Sequence, residues 1–254
     1  MARLSFVQMH SAIAAARSLL AYVAVGLYIL IAGPPLLLAA FATGNPGPLY
    51  AAGRGGVKLG LLLCGIKVRA EGMEHLQRNR AAVYAANHTS NVEPPLLFDL
   101  LHELFPRLRI LYKAELRKLP ILVRAFDLGG FVPLERGNPE QSLPAIERAA
   151  DALRAGNSFL IFPEGTRSRT GALLPFKKGG FVMALKAQAP VVPVAIVGAR
   201  DAMRKGSPII HPVTIAVRLG APIETAGLTL DDREALVAQV RAAVAHLLEN
   251  GQGS

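Results

Sequence analysis

Apolar and polar positions along the chain alternate in blocks of two periods. Short apolar runs, bounded by Gly, Pro, Asn or charged residues, predict strands at residues 66–72, 81–87, 109–113, 129–135, 158–163, 191–198 and 213–220. Between them lie stretches of helical spacing. Residues 138–156 place Leu143, Ile146, Ala149, Ala150 and Leu153 on one side and end at Gly156; residues 229–251 open with Thr229 and acidic residues and carry Leu236, Val240, Val244 and Leu247. Strands alternating with helices predict an α/β fold, a mixed central sheet of about seven strands flanked by helices.

A different pattern precedes it. Residues 19–41 carry no charge, and as one helix they would reach about 34 Å, enough to cross a bilayer core. Gly33, Pro34 and Pro35 interrupt the run, so the expectation is a helix of about 15 residues followed by a shorter piece, with a re-entrant or interfacial hairpin standing beside a full span. Basic residues flank the segment on both sides, which would put both flanks on the cytoplasmic face of an inner membrane. A cleaved leader ending near Ala40–Ala42 is a third reading, set against by the length of the apolar stretch. A Gly/Pro-rich joint at 45–56 then divides the chain into a membrane-associated N-terminal helical anchor, residues 1–56, and a catalytic-sized domain, residues 57–254.

Composition sharpens this division. Apolar residues make up 52% of the 254, and formal net charge is +10, which together point to an anionic lipid surface, a phosphate ligand or an acidic carrier protein. From residue 1 to 70 there are Arg3, Arg17, Arg54, Lys58, Lys67 and Arg69 and no carboxylate. No aromatic residues interleave with the basic ones as a base-stacking platform requires, so nucleic acid is not an expected partner. The single cysteine, Cys64, excludes an internal disulfide and a thiolate metal cluster and is expected to be buried.

Three polar clusters fall at predicted strand ends, where α/β sheets carry their chemistry. In "NHTSNVEPP", His88 stands five positions before Glu93, a rotation of about 140° on a regular helix, so the two cannot share a helix face. Pro94 and Pro95 suit a first helical turn, which places Glu93 at the helix start and His88 in the loop before it. Folded back, Glu93 could accept from one imidazole nitrogen and leave the other free to take a proton. The alternative is a capping glutamate beside an ordinary loop histidine. H-x4-E lacks the spacing of H-E-x-x-H, and no second histidine stands near, so no metal site is expected. In "FPEGTRS", Gly165 permits a tight turn, Thr166 offers a hydroxyl and Arg167 a forked cation, a combination suited to a phosphate or, equally, to a solvated turn. Arg136 in "GFVPLER" and Lys113 in "LYKAEL" also follow apolar strands and, with Arg167, could surround one phosphate. Residues 107–126 mix Arg107, Arg109, Lys113, Arg117, Lys118 and Arg124 with leucines, the makeup of a headgroup or carrier-protein contact or of a solvated helix face.

Four segments in order, "NHTSNVE", "GFVPLER", "FPEGTRS" and "VVPVAI", resemble the blocks of the glycerophospholipid acyltransferase family, most nearly of its members acting on 1-acylglycerol 3-phosphate. The resemblance implies transfer of a fatty acyl group from acyl-CoA or acyl-carrier protein to the sn-2 hydroxyl of a lysophospholipid acceptor. It assigns His88 as general base, Glu93 as its orienting acid, and Glu164, Gly165, Thr166, Arg167 and Arg136 to the acceptor's phosphate. It implies no metal and no cofactor. The family's commoner acid is aspartate, so Glu93 is one methylene longer, and different backbone spacing around His88 is expected. Two alternatives remain at this stage: a related enzyme with another acceptor, such as glycerol 3-phosphate or a lyso-aminolipid, and a non-catalytic lipid-binding protein.

Overall fold

A computed structural model describes residues 2–118, 120–134 and 139–249. All seven predicted strands are present: β1 (Lys67–Glu71), β2 (Val83–Ala86), β3 (Leu108–Lys113), β4 (Val132–Leu134), β5 (Ser158–Ile161), β6 (Val191–Val197) and β7 (Thr214–Leu219). They form one mixed sheet in the order β1-β7-β6-β2-β5-β3-β4, parallel throughout except for the antiparallel pair β6 and β7. The carboxyl ends of β2, β3, β4, β5 and β6 therefore open on one edge. That is where a ligand site forms in sheets of this kind.

The helices cover both faces of this sheet. They are α1 (Ala2–Thr43), α2 (Gly47–Cys64), α3 (Glu93–Leu100), α4 (Pro120–Leu128), α5 (Pro139–Arg154), α6 (Gly179–Ala187), α7 (Ala199–Ala202) and α8 (Arg233–Glu249). On one face Tyr84, Leu160, Val192 and Val194 pack with Leu96 and Leu97 of α3; on the other Val83, Phe159 and Ile161 pack with Phe181 of α6 and Val240 of α8. Burial on both faces explains why β2, β5 and β6 read as nearly unbroken apolar runs. Thr229, the opening residue of the predicted C-terminal helical stretch, forms a capping box with Asp232 just ahead of α8. Cys64 is buried, as expected.

The N-terminal region departs from expectation in two ways. The helix does not divide at the prolines: α1 runs through Pro34 and Pro35. The amides these prolines lack would have bonded the carbonyls of Leu30 and Ile31, residues that are 60% and 74% exposed. The chain turns instead after Thr43, where Gly44 takes a φ of +66° and the Asn45 side chain accepts from Gly47 N at 2.9 Å. Second, most of the Gly/Pro-rich stretch at 45–56 is helix, and the division after Gly56 falls inside α2. The glycines let α1 approach. A Cβ on Gly55 would lie 2.8 Å from Tyr28 Oη and one on Gly56 3.2 Å from the Tyr28 ring, while that hydroxyl donates to Ala52 O at 3.0 Å. The result is an antiparallel hairpin of α1 and α2. Ala14, Ser18 and Ala21 face the protein, whereas Leu19, Leu20, Val23, Leu27 and Leu38 stay exposed.

Candidate active site

His88 leaves β2 directly behind Asn87, whose side chain continues the sheet ladder by donating to Ile196 O (3.0 Å) and accepting from Ile196 N (2.7 Å). With the strand end pinned to β6, the loop folds back over the start of α3. Glu93 is its first residue, followed by the two prolines as the sequence predicted. The Glu93 carboxylate is fully buried and lies 2.7 Å from His88 Nδ1. It also accepts from Thr89 N, from Thr89 Oγ1 at 2.6 Å and from Ser90 N at 3.0 Å. A carboxylate only accepts, so the contact is satisfied by a proton on Nδ1, and Nε2 has no hydrogen bond among the described residues. The extra methylene of Glu93 does not prevent the contact.

The turn after β5 comes to the same place. Ser168 N donates to His88 O at 2.7 Å, and the His88 ring lies over Phe162 with centroids 4.3 Å apart. Glu164 faces inward. One carboxylate oxygen accepts from His88 N (2.6 Å) and the other from Leu174 N (3.0 Å), so both oxygens hold backbone in position. Burial pushes the Glu164 carboxyl above its ordinary value, and the two amides partly offset that rise. Gly165 has φ +68°, a conformation that disfavours any side chain, and the Lys177 stem passes 2.8 Å from where a Cβ would lie. Thr166 is exposed and Arg167 half-buried on the outer side of the turn.

Of the other expected phosphate-site residues, Lys113 ends β3 on this same sheet edge, and Arg136 lies outside the described residues, a short step past the end of β4. The basic stretch from 107 to 126 is partly occupied by structural tasks. Arg107 donates to Arg78 O, Arg109 to Gly130 O (3.2 Å), and Arg117 pairs with Asp127 at 3.0 Å. Sequence reasoning missed the Asn87 latch and two lysines beside the turn, Lys177, whose stem passes Gly165, and Lys205, whose partners are distant along the chain. Lys205 Nζ donates to Thr166 Oγ1 and to Arg167 O, each at 3.0 Å.

An apolar cavity of about 830 Å³ opens between the helical hairpin and the domain. Val25, Tyr28 and Leu36 of α1 line one side; Val92, Pro94 and Pro95 bring it up against Glu93. Its volume is in the range of small-molecule pockets, and its lining suits a hydrocarbon chain.

The acyltransferase family's model matches residues 67–197, from β1 to the end of β6 and across the loops that carry His88, Glu93 and Glu164–Arg167. The 1-acyl-sn-glycerol-3-phosphate acyltransferase of Limnanthes douglasii is 34% identical over 187 residues, 73% of this chain and 64% of that protein. The Mus musculus 1-acyl-sn-glycerol-3-phosphate acyltransferase alpha is 31% identical over 181 residues, 70% of this chain and 62% of that one. This chain thus spans less than two thirds of the length of these relatives. A crystal structure of the 1-acyl-sn-glycerophosphate acyltransferase PlsC from Thermotoga maritima superposes with a TM-score of 0.81 at 25% identity, covering 96% of this chain and 99% of that one. With its sheet, its ordered blocks and more than half its length inside the family's span, this chain belongs to the acyltransferase family.

Proposed function

We propose that the protein transfers a fatty acyl group from an acyl-CoA or acyl-carrier-protein thioester to the sn-2 hydroxyl of 1-acylglycerol 3-phosphate, giving phosphatidate. The observation that carries this reading is the His88–Glu93 pair, 2.7 Å apart and tied by Ser168 and Glu164 to the Gly165–Arg167 turn. His88 Nε2 takes the proton of the acceptor hydroxyl as its oxygen attacks the thioester carbonyl. The tetrahedral centre collapses, the C–S bond breaks, and the thiolate leaves, with the imidazolium as its proton source. Glu93 stabilises that imidazolium. Thr166 and Arg167, with Lys113 at the end of β3 and with Arg136, hold the phosphate, and Glu164 positions the two loops from inside. The cavity beside Glu93 takes an acyl chain. The names of the relatives support a phosphate-bearing acceptor over uncharged ones.

The exposed apolar face of α1, the carboxylate-free run to residue 70 and, among the described residues, one helix long and apolar enough to cross a membrane support association with a lipid surface. Because α1 also packs against α2 and is tied, through Ser18 and Tyr22, to the loop at 208–210, we place the hairpin in the interface of a cytoplasmic membrane. The catalytic domain then faces the cytoplasm, where CoA and carrier-protein thioesters are found.

A panel of acyl donors against acceptors, scored for phosphatidate with purified protein in lipid vesicles, tests the proposal. His88→Ala is expected to lower kcat by about 10² to 10⁴ while leaving lysophosphatidate binding near wild type. Acyl transfer persisting at the wild-type rate in that variant would remove His88 from the mechanism.

A further inference from the structure

The turn taken above as the phosphate seat is held from outside by a residue that none of the four sequence blocks contains. Lys205 lies in the loop after α7, and its ammonium bridges Thr166 Oγ1 and Arg167 O at 3.0 Å each. No carboxylate among the described residues pairs with it, so its charge stands un-neutralised against the turn. The loop presenting it is itself pinned. Ser90 Oγ donates to Met203 O at 2.8 Å, His211 N to Ala202 O at 2.8 Å, and Ile210 N to Ser18 Oγ of α1 at 2.8 Å. A side chain carried on so fixed a base can set geometry.

Two chemical consequences follow from the bridge. A hydroxyl has one proton to give; with the ammonium donating into its lone pair, Thr166 is left to act as a donor, and an anion is the partner that such a polarised O–H prefers. The second donated bond fixes the carbonyl of Arg167 and so the base from which its guanidinium extends. We propose that Lys205 is a positioning residue for the acceptor's phosphate, acting through Thr166 and Arg167, and that it makes the site select a phosphate-bearing lysolipid over the uncharged acylglycerol of the same chain. This inference rests on the acyltransferase reading given above.

Steady-state kinetics with lysophosphatidate and with monoacylglycerol, in vesicles of fixed composition, test it on Lys205→Ala, Lys205→Arg, Thr166→Val and the double variant Thr166→Val/Lys205→Ala. Lys205→Ala is expected to raise the KM for lysophosphatidate about tenfold, the effect of losing one charge-assisted contact, and to leave the KM for the thioester donor unchanged. Lys205→Arg should recover most of the loss, and Lys205→Ala should add little in the Thr166→Val background, because the two act as one unit. Lys205→Met keeps the stem and replaces the alanine variant should that one fail to fold. Additive effects of the two sites, parallel rises in donor and acceptor KM, or an arginine variant no better than alanine each overturn the proposal. An active wild type, a dead His88→Ala and an unchanged acceptor KM in Lys205→Ala would sink the Lys205 inference alone. A wild type that makes no phosphatidate would sink both readings.

Discussion

Glu93 illustrates how much depends on one methylene. Its carboxylate spans from the start of α3 to His88 Nδ1 while accepting from Thr89 and Ser90, and it is completely buried. Glu93→Asp withdraws the oxygens by about one C–C bond, roughly 1.5 Å, which carries a 2.7 Å contact beyond hydrogen-bond range unless the loop follows. The expected result is a kcat lower by about 10- to 100-fold with little change in acceptor KM, measured in the same phosphatidate assay. A wild-type kcat would mean that the loop tolerates either acid. The pairing of His88 with Glu93 was legible in sequence because both residues lie within one short loop and the prolines mark where the helix begins. What Glu164 does was not legible. Its two bonds reach His88, 76 residues away, and Leu174, ten away, and a block that suggests phosphate contact says nothing of which way its acid points. Asn87 and Lys205 were hidden for the same reason, with partners 109 and 39 residues distant.

Strands β2, β5 and β6 were readable because each buries both faces, whereas β1, exposed along its length, was readable only as a short run bounded by turn residues. Helix α2 was not, since its first half is rich in the residues that ordinarily mark a joint. Their reason lies in another element: Tyr28 of α1 occupies the space that side chains at Gly55 and Gly56 would fill. Gly56→Leu is therefore expected to splay the hairpin and cost about 1–3 kcal/mol of stability, seen as a lowered melting temperature. Gly60→Ala, whose Cβ meets Val25 at an ordinary 3.5 Å, should be neutral or slightly stabilising because alanine favours the helix. Equal effects at both positions would show that close packing of α1 on α2 is not what the glycines serve. The prolines of α1 misled in the opposite direction. Proline removes a helix hydrogen bond and crowds the preceding turn, yet α1 continues through Pro34 and Pro35.

Over the whole molecule, the net positive charge and the exposed apolar residues of α1 are what the proposed lipid contact would use. The net charge of +10 predicts binding to anionic vesicles that weakens as salt rises, while the exposed leucines of α1 predict a residual attachment that salt does not remove. Vesicle sedimentation across a salt series separates the two; binding indifferent to both salt and lipid charge would leave the basic residues without this role.

The cavity has one wall borrowed from α1, a helix whose opposite side expects hydrocarbon. Solubilisation with a surfactant would thus offer flexible tails to both sides of the same helix, and a tail lodged beside Pro94 occupies the space proposed for the substrate's own chain. Turnover recorded in micelles then reports competition for that space as much as chemistry, whereas a nanodisc, supplying lipid only at the outer side, leaves it vacant for substrate.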